Sequence, residues 1–129
     1  MVKFCSGIVK LNPSYFAFLS GAMISISTNL LTNLVFSRLS AQLEMPAWGA
    51  SGAFLIASIG WAALAMHTEE PHHHWVVHWR DTKEHYDLKE KEVVDGAIKD
   101  KLPYLITELI LGSTFSVIGI VLLICSTLI

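Results

Sequence analysis

Residues 46–66 read PAWGASGAFLIASIGWAALAM, with no Asp, Glu, Lys, Arg or His among them. As an α-helix this stretch is about 32 Å long, enough to cross a hydrocarbon core of ~30 Å. Its small residues follow a pattern. Gly49, Ala53 and Ala57 recur every fourth residue, and Gly52 and Gly60 lie eight apart. Lipid offers no hydrophobic drive between helices, so close backbone approach is what holds them. The segment is therefore expected to be a spanning helix packed on more than one side.

Two further apolar runs flank it, at about 13–36 and 103–129. Each of the three begins beside a proline (Pro13, Pro46, Pro103), which suits the first helical turn. Tyr15, Trp48, Trp61 and Tyr104 lie near their ends, as expected of residues at a membrane–water interface. The expected fold is all-α: one membrane domain, residues 1–129, with three transmembrane helices. The first run is too long for the apolar part of a signal peptide, and no small-x-small site follows it.

Composition agrees. The 129 residues are 53% hydrophobic and 16% charged, with a net charge of −2, and mean hydropathy is +0.51. Soluble domains carry about 25% charged residues. Charge is also segregated, with fifteen of the twenty charged side chains between Glu69 and Lys101. Disordered, collagen-like and disulfide-scaffold classes are excluded. The basic residues are interleaved with acids, which argues against a nucleic-acid partner. Cys5 and Cys125 fall on opposite sides of the expected bilayer, so free thiols are expected.

With three spans, Lys3 and Lys10 share a side with Arg80, Lys83, Lys89, Lys91, Lys99 and Lys101. By the positive-inside rule the N-terminus and the 67–102 loop face the cytoplasm, in a bacterial inner membrane or an organellar membrane. Pro71 is expected to break the chain after the second span. The loop is then read as a short interfacial helix followed by a solvated one. Asp87–Lys91 and Asp95–Lys99 support that second helix as i,i+4 pairs, Gly96 weakens it, and it re-enters at Pro103.

Four features invite a functional reading. The six histidines all lie between His67 and His85. On a helix His74, His78, Asp81 and His85 share a face, which suits zinc or copper; the plain alternative is a His-rich interfacial helix. His67, at the end of the second run, is the one histidine placed to act as an axial haem ligand within the bilayer. Trp75, Trp79 and Tyr86 form a neighbouring stripe, suited to docking a partner or to anchoring at the headgroups. In the first run Gly21, Ser25, Asn29 and Asn33 repeat every four residues, a face for helix packing or for lining a pore. In the third run Glu108 is an intramembrane acid, expected to pair with Lys101, a neighbouring chain or an Asn of the first span, the alternative being a proton or cation carrier. Gly112 and Ser116 continue from it as a packing surface.

No P-loop, dinucleotide fingerprint or nucleophile elbow is present, and enzymatic activity is not the expected role. The leading expectation is a small non-catalytic assembly subunit of a larger membrane complex. Its partners would be membrane lipids, including bound lipid, and other membrane subunits or copies of itself. The alternatives are a homo-oligomeric channel lined by the first span, and a metal-binding membrane protein using the His67–His85 cluster.

Overall fold

The computed structural model describes residues 2–36, 41–81 and 88–128, and the side chains of residues 4–5, 7–36, 45–73 and 95–128. The described residues form four helices and no strand: α1 (Val2–Lys10), α2 (Pro13–Phe36), α3 (Ala41–Asp81) and α4 (Leu88–Leu128). Three helices are long and apolar enough to cross a membrane: Pro13–Phe36, Met45–His73 and Asp95–Leu128. The chain is a multi-pass helical membrane protein.

α3 is the central element and packs antiparallel against both α2 and α4. The two contacts are built differently. Against α4, backbones come together at Gly60 and Gly112, where a Cβ added to Gly60 would lie 2.8 Å from the Gly112 nitrogen. The Trp61 ring lies over Gly112 and the Phe54 ring over Gly119, so each glycine is the socket for an aromatic knob one heptad from the next. Against α2, serines meet across the interface. Ser20 donates to the Ser58 carbonyl at 2.8 Å, and Ser27 to the Ser51 carbonyl at 2.9 Å. The two hydroxyls of Ser27 and Ser51 are 3.1 Å apart. Trp61 joins the three spans. Its ring stacks on Phe16 at 6.1 Å, and its indole N–H donates to the Ser116 hydroxyl at 3.1 Å.

One sequence expectation is corrected, the break at Pro71, and one element was not expected. That element is α1, a short amphipathic helix packed on α3 and α4. Cys5 and Val9, four apart, are buried with Leu64, Ile98 and Leu105. Burial also pushes the Cys5 thiol up from its ordinary range, so it stays protonated. Both cysteines are free, with Cys125 exposed near the end of α4.

Pro71 does not end the second helix, since α3 runs through it to Asp81. Pro71 is buried, and tertiary packing there outweighs the lost hydrogen bond. The His72 ring holds the same point by donating from Nδ1 to the Val9 carbonyl at 2.8 Å, capping the last turn of α1. The solvated helix that re-enters at Pro103 is the start of α4. α4 starts at Leu88 and passes through both Gly96 and Pro103.

At 41 residues each, α3 and α4 reach about 60 Å, twice the hydrocarbon thickness. The surplus is the charged end of the pair. A two-residue joint links α1 to α2. There Asn12 caps α2 by accepting from the Ser14 N–H at 3.0 Å, with Pro13 in the first turn.

Candidate functional site at the charged end of the spans

The α3–α4 register set by Gly60 and Gly112 carries on toward the charged end, two turns along α3 and one turn along α4. It brings His67 of α3 beside Glu108 of α4, with the His67 Nδ1 2.5 Å from Glu108 Oε1. Tyr104, one turn before Glu108, stacks on the imidazole at 5.5 Å and 22°. One turn further out, Lys101 donates to Glu70 at 2.8 Å. Within the chain Lys101 is taken by Glu70, and Glu108 meets a histidine of the adjacent span.

Burial differs across the pair. The Glu108 side chain is 12% exposed and that of His67 is 38% exposed. Nδ1 of His67 and Oε2 of Glu108 are both buried, and neither makes a well-directed hydrogen bond among the described residues. The imidazole–carboxylate contact is therefore close but off the straight line of a hydrogen bond. A carboxylate held in a span beside an imidazole is a chemically competent arrangement, since both groups exchange protons and both can ligate.

A polar cleft of about 430 Å³ lies nearby, where the α1–α2 joint meets α3. Asn12, Ser14, Glu69, His72 and His73 line it.

The residues expected to pack or line a pore divide into two groups. Ala53, Ala57 and Gly112 are buried between helices, and Ser116 receives the Trp61 N–H. Gly49 is exposed, though an added Cβ would meet Leu122 at 3.1 Å. Gly21, Ser25, Asn29 and Asn33 are exposed, on a side of α2 other than its packing face. That face consists of Phe16, Ser20, Ser27 and Leu34. The seven-residue spacing of Ser20 and Ser27, matched by Ser51 and Ser58, was the sequence signal for it.

The side chains of His74, Trp75, His78, Trp79, Asp81, His85 and Tyr86 lie outside the described residues. So do the zinc or copper site and the aromatic docking stripe expected there. Among the described residues no three His, Cys, Asp or Glu side chains converge as metal ligands. Comparison of the chain with protein-family models, with curated proteins and with solved structures gives no match.

Proposed function

We propose that this chain is a small, non-catalytic assembly subunit of a larger membrane complex, and that α2 is the helix through which it joins its neighbours. One observation carries this reading. Ser25, Thr28, Asn29 and Thr32 are exposed on the outer side of a spanning helix whose packing face lies elsewhere. Asn29 makes no side-chain hydrogen bond among the described residues. A primary amide turned to hydrocarbon lacks partners for its donors and acceptor, which costs free energy until another chain or water supplies them. Gly21, one turn before Ser25, has no atom within 4 Å of where a Cβ would be, so a neighbouring helix can come close there.

In this proposal the N-terminus and the charged ends of α3 and α4 lie in the cytoplasm or its organellar equivalent. The positive-inside count supports that side. Lipid covers the Ile, Val and Leu surface of α4.

The same outward face supports a second reading, a homo-oligomeric channel in which Ser25, Asn29 and Asn33 face water. One experiment addresses both. A photo-crosslinking residue replaces Ser25 in the full chain, and native membranes are irradiated. The assembly reading expects adducts with one or a few foreign membrane chains. Adducts only with copies of this chain, together with ion flux in liposomes that falls in Asn29→Leu, would favour the channel. Adducts with lipid alone contradict both.

A further inference from the structure

We propose that His67 and Glu108 form a proton relay, in which the imidazole passes protons between the edge of the span and an intramembrane carboxylate. The ligand is the proton itself. This inference is independent of the assembly role, because it needs only these two side chains of one chain.

The geometry supplies a carrier, the His67 imidazole, beside an acceptor, the Glu108 carboxylate. Nδ1 is buried against Glu108 Oε1 at 2.5 Å. The His67 side chain as a whole is 38% exposed, so part of it other than Nδ1 reaches the surface of the chain. A carboxylate beside one ring nitrogen favours the tautomer that has its proton there, which leaves the other nitrogen as the acceptor. Tyr104 stacks on the ring and limits how it can tilt.

The step balances. A small in-plane turn of the imidazole brings Nδ1–H into line with Oε1; a proton then bonds to Nε2 as the Nδ1–H bond breaks and an Oε1–H bond forms. The imidazole ends neutral in its other tautomer, and the carboxylate becomes a carboxylic acid. Reversal returns the proton to the boundary. Oε2, buried and without a hydrogen-bond partner among the described residues, leaves the acid no competing internal donor.

The surrounding ionisable groups do not short-circuit the pair. Glu70 of α3 and Lys101 of α4 are bonded to each other. Glu69, also on α3, lines the cleft on the α1–α2 side. Tyr104 is the stacking partner. α1 contributes buried Cys5 and exposed Lys10, and α2 has no Asp, Glu, Lys, Arg or His.

The test uses the full chain in lipid nanodiscs, with time-resolved infrared difference spectroscopy after a pH jump. The expected signal is the C=O band of a protonated carboxyl that vanishes in Glu108→Gln. In His67→Ala it should form about tenfold more slowly or worse, and added imidazole should restore the rate. A merely structural pair would show no such rescue. On the unmodified chain, nitrogen NMR of labelled histidine should show His67 exchanging between its two tautomers as that band grows. Any of three results overturns the relay: no Glu108 carboxyl band at any pH that preserves the helices, an unchanged rate in folded His67→Ala, or a single fixed tautomer of His67.

Discussion

α2 and α4 flank the same central helix and are buried to the same extent, with 11% of the apolar window of each covered, against 44% in α3. Their outer surfaces differ in one respect: both expose threonines, but only α2 exposes amides, Asn29 and Asn33. α4 turns Ile110, Val117, Ile120, Val121 and Ile124 outward, side chains that hydrocarbon accepts without cost. α2 turns Ser25, Thr28, Asn29 and Thr32 outward, beside Phe18, Ile24 and Val35. The inner contacts differ as well, with α4 held through glycine sockets and aromatic knobs and α2 through serine hydrogen bonds. Equal exposure therefore does not mean equal satisfaction. Under the proposed function, lipid completes one outer helix, while more protein or water completes the other.

Substitutions that attack each side separately would sharpen or break this contrast. The largest effect is expected at the α3–α4 contact. Gly60→Val pushes side-chain atoms into the Gly112 backbone, which cannot move aside as a side chain can. A loss of about 3 kcal/mol in unfolding free energy, measured in detergent or bicelles, is expected. Trp61→Phe keeps a ring against Phe16 but loses contact area and the bond to Ser116, for about 2 kcal/mol. At the α2–α3 contact, Ser27→Ala removes the bond to Ser51 and should cost about 1 kcal/mol in the same assay. A Ser27→Ala loss as large as that of Gly60→Val would mean that the serine contact, and not the glycine contact, organises the bundle. Smallest for the isolated chain is Asn29→Leu, within about 0.5 kcal/mol because nothing in the bundle bonds to Asn29. The same variant should weaken native assembly. A large loss of stability in the isolated chain would place Asn29 inside the bundle.

How far the sequence carried can be judged element by element. The three spans were legible because uninterrupted apolar length is a strong signal in 13–36, 46–66 and 103–129. The burial of the second span followed from its small residues. α1 was not legible, since nine residues are too few to hold a helix alone and it exists through Cys5 and Val9 packing on α3 and α4. The passage of α3 through Pro71 was hidden for the same reason, as packing outweighed a local rule. In α2 the polar repeat of Gly21, Ser25, Asn29 and Asn33 drew attention by its amides, whereas the contact face used the quieter Ser20 and Ser27. Glu108 was marked by its place in a span. Its partner depended on the α3–α4 register, which the Gly60–Gly112 approach sets and which periodicity within one helix does not encode.

The central claim, that α2 is unfinished within a single chain, is most directly tested by native mass spectrometry of the protein released from its own membrane in lipid nanodiscs. The account predicts that the chain leaves the membrane bound to other polypeptides in fixed stoichiometry, and that Asn29→Leu reduces that population. A homogeneous monomer carrying only lipid, identical in wild type and Asn29→Leu, would contradict it.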